Sequence, residues 1–193
     1  LVEAEQVQAA RREGRELPSP ALPTHYADLD RLLSGGLWPG ELIVIAGRPS
    51  MGKTSFALNI ARQVSVGNES LVKPSAVFSL EMPREQVAKN ILSAVSGIPG
   101  QKMRRFDLTE DEFSQFQGAQ QALRAAPIFI DDSSAISISQ LRARCRRLRH
   151  RHDIRLIIVD YLQLMRGSPN AQSREQEVAE ISRGLKAVAR DLQ

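Results

Sequence analysis

Residues 41–56, ELIVIAGRPSMGKTSF, decide how this chain is read. Leu42, Ile43, Val44 and Ile45 predict a fully buried strand. Phe56, Ile60 and Val64 follow at helical spacing. Between the two, Gly47, Gly52, Lys53 and Thr54 match G-x-x-x-x-G-K-[ST]. Glycines let a backbone turn tightly enough to aim several N–H groups at phosphate oxygens. A helix starting near Lys53 adds its positive dipole end. The expected ligand is a nucleoside triphosphate held by Gly47, Arg48, Pro49, Ser50, Met51, Gly52, Lys53, Thr54 and Ser55. Lys53 is expected to reach the β and γ phosphates, and the Thr54 hydroxyl to ligate Mg²⁺.

The chain has 193 residues, 42% of them hydrophobic, which suits one globular domain with a real core and an added arm. No apolar run approaches the roughly 20 residues that span a bilayer. The opening LVEAEQVQAARREGREL is too charged for a signal peptide. A single cysteine, Cys145, excludes an internal disulfide framework, so a reducing, cytoplasmic location is expected. His25, His150 and His152 form no metal-ligand spacing. A net charge of +4 permits a polyanionic partner.

Residues 1–21 read as a charged helical arm or linker, broken by the prolines of LPSPALP, and residues 22–193 as the main domain. A short helix in YADLDRLL is expected to stop at Gly35 and Gly36. AVFSLE predicts a second buried strand ending on Glu81, with Pro83 opening the next helix. Val87, Ile91 and Val95 line one face of that helix. Thr109 and Glu112 predict a capping box. PIFIDD and RLIIVDYLQL predict a third and a fourth strand. Ser173 and Gln176 predict the start of a last helix with Val178, Ile181, Leu185, Val188 and Leu192 inward. Alternating strands and helices predict an α/β fold, a mainly parallel sheet with helices on both faces.

Whether the nucleotide is hydrolysed turns on acids. Asp160 ends LIIVD, and a buried strand would deliver it to the carboxyl edge of the sheet as a Mg²⁺ acid. Glu81 ends AVFSLE and can orient and deprotonate the attacking water if its strand lies near that of Asp160. Asp131 and Asp132 are rivals for that role, although DDSS also reads, preferably, as a helix N-cap.

The helix LRARCRRLRHRH places Leu141, Cys145 and Leu148 inward and most of its arginines outward. That face is either a phosphate contact or, more simply, a solvated or subunit surface. The loop from Arg166 to Arg174 leaves the sheet beside the expected metal strand, so these two arginines are the better candidates for contacting a nucleic-acid strand.

Together GLWPGELIVIAGRPSMGKTSFALNIA, FSLEMP, IFIDDSS, LIIVDYLQLMRG and EISRGLKAVARDL resemble the ATPase domain of the DnaB-type replicative DNA helicases, within the RecA-like group. GRPSMGKT and DYLQLM carry the resemblance more specifically than the bare phosphate-loop pattern. It implies a RecA-like P-loop ATPase that uses ATP and Mg²⁺ and works as a homohexamer translocating on single-stranded DNA and unwinding duplex. It implies Lys53 and Thr54 at the phosphates, Glu81 as the water-activating acid and Asp160 at the metal. It further implies that the arm packs on a neighbouring subunit, and that primase and a helicase loader meet parts of such proteins outside this sequence. The family's domain continues past VARDLQ with another strand, DNA-contact loops and an arginine finger, so the domain reads as incomplete at its carboxyl end. The missing strand belongs between the phosphate-loop strand and that of Asp160. Two other functions fit the motifs less well: a RecA- or RadA-like recombination ATPase, and a ring-assembly module that binds nucleotide without turnover.

Overall fold

The computed structural model describes residues 20–67, 72–166 and 173–192. Most of the expected arm, and the middle of the Arg166–Arg174 loop, lie outside the described residues. The chain divides into two units, Leu1–Pro39 and Gly40–Gln193.

In the first unit, helix α1 (Ala27–Leu32) is organised by Asp30. Its carboxylate accepts hydrogen bonds from Thr24 N at 2.8 Å, Thr24 Oγ1 at 2.6 Å and His25 N at 3.0 Å. Thr24 is fully buried, so the first two bonds satisfy polar atoms that water cannot reach. The helix stops ahead of Gly35 and Gly36 as expected, with Gly35 N donating to Asp30 O at 2.7 Å.

The second unit runs α2 (Lys53–Ser65), β1 (Ser75–Ser79), α3 (Arg84–Ser96), α4 (Gly100–Arg105), α5 (Glu110–Ala125), β2 (Ile128–Asp131), α6 (Ile138–His152), β3 (Leu156–Asp160) and α7 (Arg174–Asp191). The three strands are parallel in the order β2-β1-β3. Every residue of the central strand β1 is buried. Its side chains alternate between faces. Ala76 and Phe78 join Leu141 and Cys145 of α6 and Ile181 and Leu185 of α7. Val77 joins Leu58 and Ala61 of α2 and Val87 and Ile91 of α3. Helices therefore cover both faces, as the alternating pattern predicts. Phe78 is 1% exposed, a burial worth about 1.5–3 kcal/mol. Cys145 is a packing residue, its thiol pushed up to about 12 by burial and, to a smaller degree, by the Asp131 charge.

Local signals place the helix ends. Thr109 and Glu112 form the expected capping box at α5. Ser173 accepts from Gln176 N at the start of α7, at 3.2 Å. The DDSS reading is corrected: Asp131 ends β2, and the cap of α6 is Ser137, in a capping box with Gln140. Asp132 serves a different helix, accepting from the first backbone N–H of α3, at Arg84, at 3.1 Å.

A second correction concerns Leu42–Ile45. These residues form no strand, and Ile43, Val44 and Ile45 are 43%, 58% and 41% exposed. A strand exists only where a neighbour satisfies its N–H and C=O groups. Among the described residues, no strand pairs with this run or with the outer edge of β3. Only Leu42 packs against the core.

Candidate functional site

The loop that precedes α2 turns through two left-handed residues, Ser50 at φ 63° and Gly52 at φ 81°. A Cβ on Gly52 would meet nothing within 4 Å, so this glycine is required by its backbone conformation rather than by space. Lys53 begins the helix, and its Nζ donates to Arg48 O at 2.9 Å, folding the ammonium back over the loop. No acidic residue occupies the first turn of α2, so nothing in that turn opposes the positive end of its dipole. Arg48, Pro49, Ser50, Met51, Gly52 and Ser55 are exposed around it.

Thr54, in the first turn of α2, donates its hydroxyl to Asp160 Oδ2 at 2.8 Å. Asp160 is the last residue of β3. The sheet thus carries this carboxylate to the phosphate loop, at the strand carboxyl ends where open α/β sheets bind ligands. A hydroxyl and a carboxylate oxygen side by side are the hard donors that Mg²⁺ takes, so the pair fits that ion.

β1 lies directly beside β3, with Ser79 opposite Asp160. Leu80 N continues the ladder by donating to Asp160 O at 2.7 Å. Glu81 comes next, exposed, two residues beyond the end of β1 rather than inside it as the sequence suggests. The strand stops early because Ser79 turns the chain: its Oγ donates to Met82 O at 2.7 Å and accepts from Met82 N at 3.2 Å. The rival acids are engaged elsewhere. Asp131 pairs with Arg144 and accepts from Ser133 N at 3.0 Å. Burial is the largest influence on Asp131 and pushes its carboxyl up, but the hydrogen bonds of Ser133 and Arg144 together hold it below the ordinary range. Asp132 is held below its ordinary range chiefly by the Arg84 backbone N–H.

The two loop arginines stand on other elements. Arg166 N bonds Ile136 O at 3.1 Å, in a short parallel bridge between Arg166 and Ser137. Arg174 bonds Glu177 and the Gln163 carbonyl. On α6, Arg142 and Arg146 pair with Asp191, Arg144 with Asp131 and Arg149 with Asp153. Sequence reasoning passed over Ser79 and the Arg84–Asp132 link. A serine at a strand end, three residues ahead of the Met82 peptide it bonds, is a known turn-former, but its partners are visible only in the fold.

Residues 21–193 match the DnaB-like helicase C terminal domain family. The replicative DNA helicase DnaC of Bacillus subtilis is 43% identical over 173 residues, covering 89% of this chain. The replicative DNA helicase DnaB of Geobacillus stearothermophilus is also 43% identical over 173 residues, with the same 89% covered. The chain spans 37% of the length of each of these relatives. Among solved structures, a DnaB-like replicative helicase described with its interactions with primase superimposes with a TM-score of 0.84 at 28% identity, over 100% of this chain and 46% of that one. The ATPase domain of G40P superimposes with a TM-score of 0.83 at 28% identity, over 98% of this chain and 66% of that one. Sharing the RecA-like layout of these ATPase domains, with the phosphate loop and the strand-end acid at one edge of a parallel sheet, the chain belongs to the DnaB-like helicase C-terminal domain family.

Proposed function

We propose that this chain is the ATP-hydrolysing motor of a cytoplasmic replicative DNA helicase, which translocates on single-stranded DNA as a homohexamer and unwinds duplex. The observation that carries the reading is the Thr54–Asp160 hydrogen bond, which joins the phosphate loop to the acid at the end of β3.

In the proposed mechanism, residues Gly47–Ser55 cradle the triphosphate of ATP. Lys53 leaves the Arg48 carbonyl and places its charge on the β and γ phosphates. Thr54 and Asp160 would hold Mg²⁺, which would supply neutralisation of charge on the transferring phosphoryl group. Glu81 accepts a proton from water as the water oxygen bonds to the γ phosphorus and the bond to the leaving ADP oxygen breaks. The engagement of Asp131 and Asp132 by arginines supports Glu81 for this step over its rivals. Arg166 and Arg174, flanking the segment after β3, are proposed strand contacts. Primase and a helicase loader are proposed partners of the complete protein.

The test is ATP turnover and unwinding of a forked duplex by full-length protein, with Glu81→Gln beside it. Turnover with unwinding, both lost in Glu81→Gln while nucleotide still binds, is the expected result. Turnover with strand binding but no unwinding would point to a recombination ATPase, and binding without turnover to an assembly module.

A further inference from the structure

The turn that carries Glu81 is tied at both ends by two other side chains, those of Ser79 and Asp132. At its start, Ser79 Oγ donates to Met82 O at 2.7 Å and accepts from Met82 N at 3.2 Å, closing a loop around Leu80 and Glu81. Ser79 is 1% exposed, so water cannot replace these bonds. At its end, Asp132 accepts from Arg84 N at 3.1 Å and pairs with the Arg84 guanidinium at 3.3 Å. The flanks of the turn are equally held: Leu80 N donates to Asp160 O at 2.7 Å. The Glu81 side chain itself is exposed. Its direction therefore depends on the backbone beneath it.

We propose that Ser79 and Asp132 are positioning residues that aim Glu81 at the reacting water, Ser79 from the β1 end of the turn and Asp132 from just past the end of the neighbouring strand β2. The proposal rests on the reading of Glu81 as the water-activating acid. Misplacing a reacting group by about 1 Å can cost roughly 10²-fold in rate. Loss of either tie lets the turn move while the phosphate loop, on a different element, keeps its grip on nucleotide.

The experiment uses full-length protein and four variants, with Glu81→Gln alongside. Ser79→Ala is expected to lower kcat for ATP by about 10- to 100-fold with nucleotide Kd unchanged. Hydrogen exchange at the Met82 amide, protected in the parent, is expected to speed up in the same variant. Ser79→Thr, which keeps the hydroxyl, restores slow exchange and most of the turnover. Asp132→Ala lowers kcat in the same sense. Asp132→Asn, which keeps an acceptor for Arg84 N, restores it; an acid acting directly on water would not be replaced by an amide. If Ser79→Ala does not fold, the Asp132 pair decides: parent-like kcat in Asp132→Ala overturns the proposal. Parent-like kcat in Ser79→Ala beside an inactive Glu81→Gln overturns it too and leaves Glu81 in place. A drop in kcat matched by an equal drop in nucleotide affinity also overturns it, since the defect would then be general. Parent-rate turnover in Glu81→Gln removes the reading on which the proposal stands.

Discussion

Thr54 and Asp160 lie 106 residues apart in sequence and are joined by one hydrogen bond of 2.8 Å, hydroxyl to carboxylate. In the proposed mechanism these two side chains would hold the divalent cation. Asp160→Asn keeps an acceptor for Thr54 but removes the charge. It is expected to raise the Mg²⁺ concentration needed for half-maximal ATP turnover. Lys53→Ala should instead weaken nucleotide binding itself by roughly 10- to 100-fold, since hydrogen bonds to charged groups are worth about 1.5–3 kcal/mol. A Mg²⁺ titration of turnover and a fluorescent-nucleotide titration, run on both variants, separate the two effects. A Mg²⁺ requirement unchanged in Asp160→Asn would remove this acid from the metal.

The basic segments differ in where they stand rather than in whether their charges are paired, since Arg174 also pairs with Glu177. Four arginines of α6 have carboxylate partners within the chain. Arg166 and Arg174 flank the residues after β3. Arg166→Ala with Arg174→Ala is expected to reduce the salt slope of single-stranded DNA binding, by roughly 0.7 for each phosphate that these arginines neutralise in the parent. Arg146→Ala with Arg149→Ala should leave the slope nearly unchanged. The opposite pattern would move the strand-binding role to α6.

Gly184 sits in the middle of α7, where a glycine ordinarily weakens a helix by about 1 kcal/mol relative to alanine. Its reason is close packing: a Cβ there would lie 2.9 Å from both Cγ1 and Cγ2 of Ile138, at the start of α6. Those atoms branch from the Ile138 Cβ and cannot swing aside as a chain end could. Gly184→Ala should therefore destabilise despite the better helix propensity, because overpacking costs about 1–3 kcal/mol. Adding Ile138→Ala should recover part of the loss, a coupling that a double-mutant cycle on thermal or urea melts would measure.

Asp131 is held below the ordinary carboxylate range once the bonds from Ser133 and Arg144 have outweighed burial. A depressed folded-state pKa stabilises at pH values above the unfolded value of about 3.9, and that contribution is lost as pH falls through the lower folded value. Arg144→Gln should thus lower Tm at neutral pH, and the gap from the parent should close as pH is taken below about 4. A gap that persists unchanged far below that pH would mean that Arg144 acts through packing instead.

The sequence by itself determined the local chemistry. The phosphate loop, the helix behind it, the capping boxes and the α/β alternation all depend on residues a few positions apart, whose spacing is read directly. Asp160 was legible for the same reason, as an acid at the end of an apolar run. What needed the tertiary structure was everything set by which strand lies beside which. The Leu42–Ile45 run has the composition of a buried strand, yet pairing and burial come from neighbours, and among the described residues no strand pairs with it and only its Leu42 packs against the core. DDSS has the composition of an N-cap, yet Asp131 and Asp132 found partners on α6 and α3, which the sheet order brings to them. That same order puts β1 against β3 and so Glu81 just past Asp160's partner strand, a placement the sequence could state only as a condition. Local propensity chooses an element, but long-range contacts decide its edges, its partners and the direction in which its end residue points.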